Sequence, residues 1–303
     1  WCFKTEPDET MNNRSIRYPR GKTLGGSSSI NGLLWVRGQS EDYNIWRQLG
    51  NTGWGWNDVL PYFLKSENNE LGKSEFHNDS GPITVANKKI NLKLLDEFQN
   101  AAEEYGIPKT NDFNTGDNTG IGFFQFTTSF NKPGLKLRCS AAKGYLNPAK
   151  KRSNLKIVVN AHVQKINFEG KKAIGASYYN GDKLIEVKAD KEVILSSGAI
   201  GSPHILQVSG IGNKEKLKKL GIDIIHESNG VGLNLQDHLM FRPVYKVKNL
   251  KSLNSKVESI FGRFMMGLEY ILNQSGPVTM GASQVCGFVK SDPSRATPNL
   301  QFH

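Results

Sequence analysis

Residues 20–31, Arg-Gly-Lys-Thr-Leu-Gly-Gly-Ser-Ser-Ser-Ile-Asn, set a glycine pair, three hydroxyls and an amide directly before an apolar and aromatic run. Gly25 and Gly26 lack a Cβ, so the backbone there can turn sharply and come close to a ligand. Ser27, Ser28 and Ser29 offer hydroxyls and amide N–H groups, and Asn31 adds one acceptor and two donors. A loop of this kind suits a flat, anionic cofactor. Taken alone, a Gly-Ser stretch reads equally well as a solvated turn.

A second stretch, Gly198-Ala-Ile-Gly-Ser-Pro-His-Ile-Leu-Gln-Val-Ser-Gly-Ile-Gly212, follows the apolar run Glu192–Ser197, which reads as a buried strand. Ser202 suits an N-cap, Pro203 the first helical position and Gly210 a stop, so the spacing predicts a short helix over 203–209. Strand, tight turn and helix together form a nucleotide-binding geometry, because a helix N-terminus presents free N–H groups and partial positive charge.

The two stretches together resemble the signatures of the glucose-methanol-choline (GMC) oxidoreductases, flavoproteins that oxidise alcohols. Gly230-Val-Gly-Leu-Asn-Leu-Gln-Asp-His238, Trp54–Phe63 and Arg138-Cys-Ser-Ala-Ala142 also match family segments, in the expected order. The resemblance implies an α/β fold. It consists of a Rossmann-like FAD-binding region over 1–240 with a β-meander and a surface excursion at about 45–135, then the start of an α+β substrate domain with an antiparallel sheet over 241–303. It implies that Leu24, Gly25, Gly26, Ser27, Asn31, Gly32, Leu33, Leu34 and the backbone of Val163 contact FAD. Some family members attach flavin through a histidine just before the motif asparagine. Ile30 stands there, so non-covalent FAD is expected.

The implied reaction is hydride transfer from a primary alcohol, choline-like or aliphatic, to flavin N5, with oxygen or a quinone-type acceptor reoxidising the flavin. The run Arg37–Trp46 is shared by the choline dehydrogenase and aliphatic alcohol dehydrogenase branches, so it does not choose between them. A flavin-bearing hydroxynitrile lyase of the same scaffold and a non-catalytic basic binding module stand as alternatives. No G-x-G-x-x-G is present, and the family's catalytic histidine with its His or Asn partner falls beyond residue 303. The chain therefore reads as an internal piece without a catalytic residue of its own, inactive if expressed alone.

Composition bounds these readings. The chain has 303 residues, 37% hydrophobic and 22% charged, which is globular. The formal charge of +11 raises nucleic acid as a partner, but the lysines at 214, 216, 218 and 219 alternate with glutamate and leucine as on a solvated helix face, and no nucleic-acid motif accompanies them. No apolar run is long enough to span a bilayer. Cys2, Cys139 and Cys286 suggest neither a disulfide framework nor a zinc site, consistent with a cytoplasmic protein or one peripheral to an inner membrane. Sequons at Asn13, Asn78 and Asn273 carry little weight without a visible signal peptide. Among the histidines, His77, His162, His204 and His226 lack metal-ligand spacing, His303 falls in a strand-like segment, and His238 reads as a structural hydrogen-bonding residue.

Element expectations follow from periodicity and punctuation. Helices are expected over 40–49, 57–66 and 94–105, an irregular surface stretch over 67–90, and a loop with one strand over 110–134 whose Phe123, Phe124, Phe126 and Phe130 serve packing. Strands are expected at 155–159, 163–168, 173–179, 184–187 and 192–195, with a hairpin at Asn180-Gly-Asp182. A helix end at Tyr270–Leu272 precedes a turn at Gly276-Pro277.

Overall fold

A computed structural model describes residues 1–87, 90, 92–129, 137–250, 252–273, 275–281 and 283–303. The backbone gathers into two compact units, one of residues 1–155 with 245–303 and the other of residues 156–244.

In the first unit, β1 (Cys2–Lys4) and β2 (Arg17–Pro19) form an antiparallel ribbon. The chain then runs through the Gly-Gly-Ser loop into β3 (Leu34–Trp35). Helix α1 (Ser40–Gln48) begins at the expected residue. Gln39 takes the cap position because the Asp42 carboxylate accepts its backbone N–H at 2.8 Å. Asp58 does the same for Gly55 at 2.9 Å, starting α2 (Trp56–Ser66). Tyr43 meets Phe63 edge-on at 5.7 Å, so the two helices touch through aromatic rings.

The stretch 67–90, expected as a surface excursion, contains sheet and core. It supplies β4 (Glu67–Asn69) and β5 (Ile83–Asn87), and Glu67, Val85 and Ala86 are fully buried. Hydropathy misleads here because Glu67 and Asn69 point inward and satisfy each other, so the strand has no apolar alternation to read. Helix α3 (Lys93–Glu104) lies within one residue of expectation and ends before Gly106. β6 (Gly120–Phe123) and β7 (Gln125–Phe126) follow. The order β3-β7-β5-β4 makes one sheet, antiparallel except for the parallel pair β4 and β5. A helical stretch from Ala142 ends in α4 (Asn147–Ala149) and lies so close on β5 that a Cβ at Gly144 would stand 2.6 Å from Ile83 Cδ1.

The second unit is built on the expected meander of β8 (Ala161–Glu169), β9 (Lys172–Asn180) and β10 (Lys183–Lys188), with its hairpin at Asn180-Gly-Asp182. Residues 155–159 and 192–195 are not strands. Residues 155–159 are exposed and 192–195 partly so, and no described strand pairs with either run, so neither has the ladder a strand needs. Helix α5 (Gly198–Val208) starts five residues before the predicted position. Ser202 and Pro203 therefore lie inside it, where Pro203 has no N–H to give to the carbonyl of residue 199. The Ser202 hydroxyl accepts from Ser197 N at 3.0 Å, bracing the start from within. Ser209 ties the end of α5 to the meander, accepting from Ile166 N at 2.8 Å. β11 (Ile211–Gly212) and β12 (His226–Glu227) pair in parallel around α6 (Lys214–Lys219), where Leu217 is buried and the lysines are exposed as expected.

Returning to the first unit, α7 (Asn254–Glu258) and α8 (Ile260–Asn273) precede the expected turn at Gly276-Pro277. β13 (Val285–Val289) then pairs antiparallel with both β6 and β14 (Leu300–Phe302), the strand that holds the segment before His303. Phe113, Phe124, Phe126 and Cys286 form the principal cluster, with Leu33, Leu34, Val36 and Phe288 packed on it. The aromatics after residue 110 thus serve packing, as expected, while Phe130 lies outside the described residues. Among the described residues no helix is long and apolar enough to cross a membrane.

Phe124 is 1% exposed in this cluster. Phe124→Ala is expected to lower unfolding free energy by about 3–5 kcal/mol in urea titrations, whereas Tyr105→Ala, at an exposed helix end, stays within about 0.5 kcal/mol. Equal effects would place the core elsewhere.

Candidate functional site

The segment 24–34 brings Leu24, Gly25, Gly26, Ser27, Asn31, Gly32, Leu33 and Leu34 onto one continuous turn-and-strand of the first unit. Residues 26–29 form a single 3-10 turn, entered through Gly25 at φ +87° and Gly26 at φ +54°. The left-handed backbone calls for glycine at both positions, and at Gly25 packing adds a second reason. A Cβ at Gly25 would stand 2.6 Å from Ser29 Oγ and 3.1 Å from Ala142, so packing excludes it. A Cβ at Gly26 would meet nothing within 4 Å, so the left-handed backbone alone calls for glycine and the space above it is open.

The serine hydroxyls, read from sequence as ligand-directed, are largely internal ties. Ser28 Oγ donates to Gly25 O and accepts from Ala141 N at 2.9 Å, Ser29 Oγ donates to Leu24 O at 2.9 Å, and Ser27 Oγ accepts from Gly21 N at 3.2 Å. Leu33 adopts φ +70°, unusual for a branched residue, and is held there by its carbonyl, which accepts from Thr127 N at 2.8 Å and Thr127 Oγ1 at 3.2 Å. The Leu33 and Leu34 side chains pack on the phenylalanine cluster. Arg138 reaches the loop from more than a hundred residues downstream, its Nη2 donating to Asn31 O at 2.7 Å and its Nη1 to Ser28 O at 3.1 Å and to Asn31 Oδ1. The sequence marked Arg138-Cys-Ser-Ala-Ala142 only as a family segment, and nothing in its spacing points back to residue 31.

Val163 belongs to the second unit. It pairs with Tyr178 beside a register irregularity on β8, an edge strand among the described residues, with its side chain partly exposed.

Behind the loop, β3 leads into a buried ionic network that sequence reasoning missed. Glu67 is fully buried and accepts from Arg37 Nη2 at 2.7 Å, Trp35 Nε1 at 2.9 Å and Asn69 Nδ2 at 2.8 Å. His77 bridges two carboxylates, with Nδ1 at 3.1 Å from Glu67 Oε2 and Nε2 at 2.8 Å from Asp112 Oδ2. Burial disfavours the charged imidazole, but hydrogen bonds to Asp112 and Glu67, together with their charges, raise its pKa to about 9. Burial likewise opposes ionisation of Glu67 and Asp112, and the His77 hydrogen bonds and the nearby Arg37 charge lower both below the ordinary carboxylate values. Arg37 also donates to Phe76 O at 2.7 Å and Asn114 O at 3.0 Å. Separations of 10 and 35 residues around His77 gave no periodic signal.

Among the described residues no group of three or more His, Cys, Asp or Glu is placed to hold a metal ion. The exposed His238 donates its backbone N–H to Asp237 Oδ1 at 2.8 Å. His303 lies at the end of β14 with its ring 6.2 Å from that of Phe124.

The network predicts a pH dependence of stability. A folded pKa of about 9 against an ordinary 6.5 means that the His77 contribution is complete below pH 6.5 and is lost as pH rises through 9. Thermal midpoints are expected to fall across that interval. His77→Gln should lower stability near pH 6 by about 3 kcal/mol, the cost of breaking a buried ion pair, and flatten the decline. A variant with the wild-type slope would assign the titration to another group.

The GMC oxidoreductase family pattern matches residues 8–240. The oxygen-dependent choline dehydrogenase of Chromohalobacter salexigens is 40% identical across all of this chain, which covers 54% of that protein. The alcohol dehydrogenase [acceptor] of Pseudomonas putida is 39% identical, again over the whole chain and 54% of the relative. The chain therefore spans about half the length of these curated relatives. Among solved structures, an FAD-dependent oxidoreductase from Chaetomium thermophilum superposes with a TM-score of 0.84 at 30% identity, over 94% of this chain and 52% of that one. With the loop, the meander and a match over most of its residues, the chain belongs to the GMC oxidoreductase family.

Proposed function

We propose that the chain is the flavin-cradling part of an FAD-dependent oxidoreductase acting on the CH–OH group of a primary alcohol, choline-like or aliphatic. The observation that carries the reading is the 24–34 loop, open above Gly26 yet tied at Ser28, Asn31 and Leu33 by residues 127–141. The residues present fit a flavin nucleotide. A Cβ would enter the space over Gly26 without touching protein, and the apolar side chains of Leu24 and Ile30 are exposed on the same turn, as a planar ring requires. Relatives named choline dehydrogenase and alcohol dehydrogenase support the substrate class.

When bound, FAD supplies the two-electron acceptor for a hydride from the alcohol carbon. The part of this chain is to bind and orient it. On this reading Leu24, Gly25, Gly26, Ser27, Asn31, Gly32, Leu33 and Leu34 form the ring-side cradle, and Val163, on a strand at the edge of its sheet among the described residues, serves the adenine end. Residues 1–240 make the cofactor part and 241–303 begin the substrate part. The hydrocarbon side chain at Ile30 has no atom suited to a flavin bond, so the cofactor is held non-covalently. Oxygen or a quinone-type molecule would reoxidise it, and the three unpaired cysteines fit a reducing compartment.

Full-length protein is expected to carry yellow flavin that acid or heat denaturation releases entirely into the supernatant. Colour retained on the precipitate would refute the non-covalent mode. Gly26→Val strains a left-handed position and fills the open space, so the flavin-to-protein absorbance ratio should fall at least about tenfold with a smaller change in melting temperature. Full occupancy in the folded variant would remove this loop from the cofactor site.

A further inference from the structure

The structure assigns Arg138 as a positioning residue that presets the Asn31 amide as a hydrogen-bond donor toward the cofactor, an inference that rests on the FAD reading above. A guanidinium has donors and no acceptor, so the Asn31 side-chain atom facing Arg138 Nη1 must be Oδ1. A second donor makes the same demand independently, since Leu33 N–H donates to that oxygen at 3.2 Å. Both constraints leave the amide nitrogen as the end without a partner among the described residues, on a residue that is exposed. Arg138 is itself held by Ser28 O and Asn31 O, so its Nη1 stays at the amide, and a flip would set an N–H group against both Nη1 and Leu33 N–H.

The group that this loop offers at Asn31 is therefore N–H, and the cofactor atom it receives is an acceptor, such as a ring carbonyl oxygen, an unprotonated ring nitrogen or a phosphate oxygen. No carboxylate among the described residues pairs with Arg138, so its positive charge adds a field that favours electron-rich atoms at the same place. Lysine would preserve the charge but not the fork. Aspartate at 31 would satisfy Arg138 yet present only acceptors to the cofactor.

The test uses full-length protein stripped of flavin and titrated with FAD, with affinity read by flavin fluorescence and the melting temperature of the apoprotein read alongside. Arg138→Ala is expected to weaken FAD binding about 10–100-fold, as for loss of a charge-assisted hydrogen bond. Added guanidinium at about 10–50 mM should recover part of the loss through the same donors. Arg138→Lys and Asn31→Asp should each remain about tenfold weaker with apoprotein melting near wild type. Wild-type affinity in Arg138→Ala or Asn31→Asp would overturn the inference, as would losses that follow apoprotein melting and resist guanidinium. If Arg138→Ala does not fold, the other two variants decide. Absence of FAD uptake by the wild-type protein would instead defeat the functional reading itself.

Discussion

A fully buried carboxylate, Glu67, must be compensated or expelled, and much of the first unit is arranged around compensating it. Its partners come from separate parts of the chain. Trp35 and Arg37 follow the cofactor loop, Asn69 lies on the same short strand, and His77 arrives from the turn beyond it. Asp112 closes the far side of His77, and Asn114 fixes Arg37 through both backbone and side chain. No single pair explains the arrangement, because a lone ion pair of this burial would scarcely repay its desolvation. Several charge-assisted hydrogen bonds converging on one carboxylate do so.

That anchor gives the candidate site its frame. β3 is held at one end by Trp35 and Arg37 and at the other by Leu33, whose strained backbone persists because Thr127 takes its carbonyl twice. Leu33 and Leu34 then add apolar packing against Phe113, Phe124 and Phe126. The loop before them can remain open above Gly26 without collapsing, since its shape is set by ties on its inner side. Rigid support behind an open face is what a preorganised binding site requires.

The loop, the meander with its Asn-Gly hairpin, the helices around residues 40–66 and 93–104 and the last strand were legible because each carries local chemistry: glycine pairs, caps, alternation and turn dipeptides. The misplacements have identifiable causes. The start of α5 was hidden because Ser202 and Pro203 look like a helix beginning although they also fit its second turn. The runs 155–159 and 192–195 have strand composition, but a strand exists only with a partner beside it. The stretch 67–90 looked solvated because its buried polar residues are satisfied by groups up to 56 positions away.

By itself the sequence determined the family, through several long motifs in order, and with it the loop that carries the candidate cofactor contacts. It also determined where backbone freedom is needed, because a glycine at a left-handed position is a local steric requirement. Tertiary structure alone decided that Ser28 and Ser29 tie the loop to itself and its neighbours, that the His77 ring lies between two carboxylates, and that the Asn31 amide oxygen faces Arg138. Those outcomes depend on which donors and acceptors from distant segments meet in space. Hydrogen-bond partnership and burial are properties of the folded arrangement, and no local pattern encodes them.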